Sequence, residues 1–159
     1  MSNNDRSKQA PLQILGTTIR PGERASIEVP VPSLYTHTRL EMPVQVIHGK
    51  KPGPTLFISA AIHGDEINGV EIIRRVMHQR GIDRLRGTLI AIPVVNIFGF
   101  INQSRYLPDR RDLNRSFPGS ESGSLAGRLA NLFLTEIVAR CTHGIDLHTG
   151  AVHRENFPH

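Results

Sequence analysis

Three stretches rich in apolar residues, TLFISAAI at 55–62, GTLIAIPVVN at 87–96 and GIDLHTG at 144–150, alternate with two stretches whose apolar residues return at helical spacing. After Asp65, the side chains Ile67, Val70, Ile73 and Met77 fall on one side of a helix, while Glu71, Arg74 and Arg75 lie off it. Between Leu125 and Arg140 the residues Leu129, Leu132, Phe133 and Ile137 repeat the pattern. Strand, helix, strand, long loop, helix, strand is a βαβ order. It predicts an α/β fold: a mainly parallel, mixed sheet flanked by helices. Asp65 is the expected N-cap of the first helix.

Ahead of this pattern, LQILGTTI, ASIEVPV and TRLEMPVQVIHG read as short β segments, with a turn at Pro21 and Gly22. Prolines at 21, 30, 32 and 43 favour edge strands and bends, so an N-terminal antiparallel β extension is expected. KKPGP at 50–54 punctuates the chain. The expected division is a tail and β extension over 1–52, followed by part of a single domain over 53–159. A length of 159 residues suits one domain with its own core.

Composition narrows the function classes. No apolar run approaches the roughly 20 residues that span a bilayer, and the start MSNNDRSKQAPLQ has no apolar signal-peptide stretch, so a soluble cytoplasmic protein without a membrane partner is expected. The single cysteine, Cys141, excludes an internal disulfide and a thiolate zinc cage, and its setting suggests a half-buried inert thiol. Basic residues outnumber acidic ones by 19 to 14, and 16 of the 19 are arginine. Nucleic-acid binding calls for basic residues interleaved with stacking aromatics, yet aromatics are 5% of the chain and tryptophan is absent, so no nucleic-acid partner is expected. The planar fork of arginine suits small carboxylates instead. Nothing in the sequence sets an oligomeric state.

The junction AAIHGDEINGV places His63 and Glu66 where the first strand gives way to the first helix. In mainly parallel sheets, chemistry collects at the carboxyl ends of the strands. A catalytic zinc takes three ligands from imidazole and carboxylate and leaves a position open. His63 and Glu66 at HxxE spacing supply two, and His148, at the end of the third strand, is the candidate third. Asp146 either orients an imidazole from behind or is an ordinary strand-end residue. His153, five residues further on, rivals His148 but sits in a polar stretch. A second cluster, SRYLPDRRDLNRSFPG at 104–119, is either a solvated loop or a set of forked donors, with Arg105, Asn114 and Arg115 foremost. Asp109, Arg110 and Arg111 are expected to be exposed or mutually paired.

HGDE, RDLNRSFPG and DLHTGA, in this order, resemble the succinylglutamate desuccinylase and aspartoacylase family, relatives of the zinc carboxypeptidases, from about Thr55 onward. The resemblance implies a zinc carboxypeptidase-like fold and a zinc-dependent deacylase, holding one ion per chain. Its substrate would be an N-acyl amino acid or a similar small acidic molecule, hydrolysed at the amide bond. It implies His63, Glu66 and His148 as the ligands, Arg105 as the group that polarises the scissile carbonyl, and Asn114 and Arg115 as the holders of the substrate carboxylate. The likeness continues through Arg154 and Asn156. Family members also use a glutamate as general base, carried well after the third ligand. No residue here matches it, Glu155 included, so a fragment of a longer product is expected, with weak metal binding and little turnover of its own. The competing readings are a zinc carboxypeptidase acting on peptides and a non-catalytic zinc-binding or interaction module.

Overall fold

The computed structural model describes residues 9–34 and 36–150. The strands are β1 (Leu12–Ile14), β2 (Thr17–Ile19), β3 (Arg24–Pro30), β4 (Glu41–His48), β5 (Lys51–Ala60), β6 (Arg86–Ile92) and β7 (His143–Leu147). The α-helices are α1 (Asn68–Met77), α2 (Ile97–Asn102) and α3 (Leu125–Glu136), joined by short 3₁₀ turns.

The apolar runs form the middle of a five-stranded sheet of order β3-β4-β6-β5-β7. β5 pairs in parallel with both β6 and β7, whereas β4 runs antiparallel to β6 and to β3. The sheet is therefore mixed, as expected. The central stretches of its inner strands are mostly apolar because both faces are covered there. Val46, Ile90 and Ile92 pack on one face with Leu129, Ala130 and Phe133 of α3. Their neighbours Ile47, Leu89 and Ala91 pack on the other with Ile73 and Met77 of α1. At roughly 1.5–3 kcal/mol for each fully buried large aliphatic side chain, these two layers are the main source of stability.

The antiparallel extension has two parts. β1 and β2 form a separate two-stranded ribbon whose Ile14 and Ile19 pack into the α3 side of the core. β3 and β4 continue the main sheet itself. Pro43 is accommodated in β4 because the ladder to β6 begins only at Gln45. β5 starts at Lys51, inside the KKPGP stretch, with a register irregularity between Lys51 and Thr55.

Two local expectations are corrected. Helix α1 begins at Asn68, its N-cap is Ile67 and no side chain caps it, so Asp65 is not the cap. Ile67 consequently lies outside the helical stripe and is 49% exposed. The segment 97–102, expected as loop, is helix α2; Asn96 caps it by accepting a hydrogen bond from Gly99 N–H at 2.8 Å. Cys141 is half-buried, and burial pushes its thiol up to about 11, which keeps it protonated and unreactive. Among the described residues no helix is long and apolar enough to cross a membrane.

Candidate metal centre

β5 ends at Ala60, and the chain then turns sharply: Ala61 takes φ +50°, a left-handed conformation that is uncommon for alanine. Backbone hydrogen bonds from Val95 N–H to Ala60 O and from Asn96 N–H to Ala61 O, both near 3.0 Å, hold this turn. Buried Asn96 adds a side-chain hydrogen bond, donated to Ile62 O at 3.2 Å. Gly64 follows with its backbone directly against Gly99 and Phe100 of α2, where no side chain fits. The turn is fixed from three sides, and it presents His63 and Glu66 inward, 2% and 3% exposed.

The parallel pairing of β5 with β7 brings Leu147 opposite Ala60, and His148 follows at the same sheet edge. Glu66 lies between the two imidazoles. Its Oε1 is 2.8 Å from His63 Nδ1, and its Oε2 accepts from His148 Nδ1 at 2.7 Å and from Thr149 N–H at 3.1 Å. One ligand atom from each of His63, Glu66 and His148 falls within 4.8 Å of the others, a spacing able to hold a metal ion. Nitrogen and oxygen donors of this kind suit zinc.

Both imidazoles are backed by carboxylates. His63 Nε2 sits 3.1 Å from Asp112 Oδ1, and His148 Nε2 donates to Asp146 Oδ2 at 2.7 Å. Asp146 is fixed in turn by Ser59 Oγ, which donates to its Oδ1 at 2.7 Å across the β5–β7 pair. Each histidine thus keeps Nδ1 toward Glu66 while a carboxylate anchors Nε2, an arrangement that orients and strengthens metal-binding histidines. The hydrogen bond to Asp146, helped by Glu66, overcomes burial and holds the His148 imidazole protonated up to about 9. A metal at this position would displace that proton. Burial works against the Asp112 carboxylate, but hydrogen bonds from His63 and Arg105 outweigh it and hold its pKa below the ordinary aspartate value.

The structure places the other sequence candidates unequally. Arg105 joins the cluster: Nη2 lies 2.9 Å from Asp112 Oδ2, Nε donates to the same oxygen at 3.0 Å, and Nη1 is 3.6 Å from Glu66 Oε1. Arg115 lies beside it, with Nε 3.8 Å from Asp112 Oδ2 and a side chain 82% exposed. Asn114 is exposed and touches the cluster through its backbone, donating to Asp112 Oδ1 at 2.9 Å. His153, Arg154, Glu155 and Asn156 lie outside the described residues. Asp112 and Ser59 were not singled out by sequence. The motif RDLNR did contain Asp112, but its pairing with His63 spans 49 positions and shows no periodicity.

Comparisons with known proteins bear on the family and the fold. The sequence profile of the Succinylglutamate desuccinylase/Aspartoacylase catalytic domain matches residues 52–159. The chain belongs to this family. It is 31% identical over 110 residues to the N-alpha-acetyl-L-2,4-diaminobutyric acid deacetylase of Halomonas elongata, a match covering 69% of this chain and 32% of that protein. The crystal structure of a succinylglutamate desuccinylase/aspartoacylase from Rhodobacter sphaeroides superposes with a TM-score of 0.74 at 28% identity, over 80% of this chain and 40% of the other. A metallo-carboxypeptidase from Burkholderia cenocepacia shares the fold alone, with a TM-score of 0.57 at 17% identity over 78% of this chain and 36% of the other. The fold is thus zinc carboxypeptidase-like, and the chain spans about a third of the length of the curated relative that it matches.

If the cluster holds a metal, Asp112→Asn is expected to weaken its affinity about 10–100-fold, the usual worth of a carboxylate behind a ligating histidine. Competition against a chromophoric chelator measures it, with circular dichroism as a check on folding. Unchanged affinity in a folded variant would show that Asp112 serves the loop alone.

Proposed function

We propose that this chain carries the metal-binding part of a zinc-dependent deacylase, one that cleaves the amide bond of an N-acyl amino acid or similar small acidic substrate. One observation carries the reading: His63, Glu66 and His148 converge at a strand-end edge with a guanidinium beside them. In this proposal those three residues hold one zinc ion per chain, and residues 53–159 are the N-terminal part of the hydrolase domain. Zinc supplies Lewis-acid polarisation of a carbonyl and activation of a water toward neutral pH.

The chain's own groups supply the rest. Arg105, anchored by Asp112, keeps Nη1 near Glu66 and so stands where it can offset negative charge developing on the scissile oxygen. Arg115 and Asn114 extend from the same loop into solvent, which leaves their donors available to a substrate carboxylate. Asp112 and Asp146 position the imidazoles. The general base is assigned to none of the residues named here.

The test is a substrate panel on the natural protein. N-acetyl-L-2,4-diaminobutyrate, N-acetylaspartate and N-succinylglutamate are set against dipeptides with free carboxyl termini. Hydrolysis of an N-acyl amino acid, stopped by a chelator and restored by zinc, is the expected result. Hydrolysis confined to the dipeptides would favour a carboxypeptidase, and retained zinc with no hydrolysis would favour a non-catalytic module.

A further inference from the structure

The loop that carries Arg105 and Asp112 has a second face, turned away from the metal centre. Asp109 and Arg111 on that face, Ser33 and Leu34 from the segment before β4, and Ser124 and Arg128 at the start of α3 line a cavity of about 340 Å³. None of His63, Glu66 and His148 borders it.

The charge balance of this cavity is incomplete. Its carboxylate is already engaged by backbone: Asp109 Oδ1 accepts from Arg111 N–H at 3.2 Å, and Oδ2 accepts from Ala126 N–H at 2.9 Å. The arginine ion pairs among the described residues are made by Arg24, Arg74, Arg75, Arg105, Arg115 and Arg140, so neither Arg111 nor Arg128 has a carboxylate partner there. Arg128 Nε is buried with no acceptor at all among those residues. A buried guanidinium N–H without an acceptor costs free energy, and neither guanidinium has a counter-charge among the described residues. An anion in the cavity would supply the counter-charge that both guanidiniums lack. Ser124 caps the 12-residue helix α3, so the positive end of its dipole adds to the same field.

We propose that this cavity is a second ligand site, one that takes the oxyanion group, phosphate or carboxylate, of a small metabolite between the guanidiniums of Arg111 and Arg128. The hydroxyls of Ser33 and Ser124 are further donors, and Leu34 offers an apolar wall to the rest of the molecule. Arg111 immediately precedes Asp112, so a ligand held there ties α3 to the loop that meets His63.

Titration calorimetry of the natural protein with inorganic phosphate, and separately with succinate, at ionic strength held constant with sodium chloride, tests the assignment. The expected result is saturable binding of at least one of the two probes, weakened about 10-fold or more in both Arg111→Gln and Arg128→Gln, with metal content unchanged; the stronger probe identifies the oxyanion. No saturable binding of either, or equal affinity in wild type and variants, would overturn it. Arg111 is exposed, so its variant keeps the fold and decides the matter alone if Arg128→Gln does not accumulate.

Discussion

His63→Ala is expected to purify with almost no bound metal, and with hydrolysis reduced to the chelator-treated background. In the proposed site the imidazole is one of three donors, so its removal leaves two, and Glu66 Oε1 loses its neighbour at 2.8 Å and Asp112 Oδ1 its neighbour at 3.1 Å. Even an outer partner of a ligating histidine is worth about 10–100-fold in affinity, so loss of the ligand itself should exceed about 100-fold. The folded state should survive, because the turn is held by backbone and by Asn96 rather than by the imidazole. Metal-to-protein stoichiometry by elemental analysis is the deciding measurement. A variant that retains one equivalent would remove the three-residue site, and with it the proposed hydrolysis.

Gly64→Ala should be strongly destabilising and should disturb the candidate site directly. The added methyl would overlap the carbonyl group of Gly99 and the amide nitrogen of Phe100. Those atoms belong to the backbone of α2, and they cannot swing aside as a side chain would. Phe100 N–H donates to Asn96 O at 2.9 Å and Ser104 N–H to Gly99 O at 2.8 Å, while Gly64 N–H itself donates to Ser104 O at 3.0 Å. Either α2 or the His63 turn must move. We expect a loss of more than about 3 kcal/mol, at the upper end for overpacked sites. For a domain of this size that is a fall of about 6–12 °C in melting temperature. Metal affinity should fall with it. A melting temperature within about 2 °C of wild type would show that the turn is looser than its contacts imply.

Much of this arrangement is legible from residue order. The runs at 55–62 and 87–96 are apolar without alternation because β5 and β6 have cover on both faces, and the two long helices announce themselves by period. The convergence of His63, Glu66 and His148 follows once both histidines are placed at carboxyl ends of parallel neighbours. What escapes the reading is what local pattern does not encode. Helix α2 is only 6 residues long, too short for a full amphipathic repeat, and it is set by a cap and by tertiary contact. Asp65 has the right chemistry for an N-cap, but the turn that seats Glu66 delays the helix by two positions. Asp112 and Ser59 reach their partners across 49 and 87 positions, distances at which spacing carries no signal. Pro43 suggested a sheet edge, whereas β4 is flanked by β3 and β6.

The parallel pairing of β5 with β7 has a consequence for how the molecule assembles. Glu66 and His148 are 82 positions apart, and nothing shorter than closure of that whole intervening segment can bring them together. Closure of so long a segment is entropically unfavourable and tends to come late in folding. The unfolded polypeptide therefore keeps only the local pair His63 and Glu66, three positions apart, and the complete donor set depends on the folding equilibrium itself. Substitutions in the distant hydrophobic layers should weaken ion retention only once they leave the unfolded state populated.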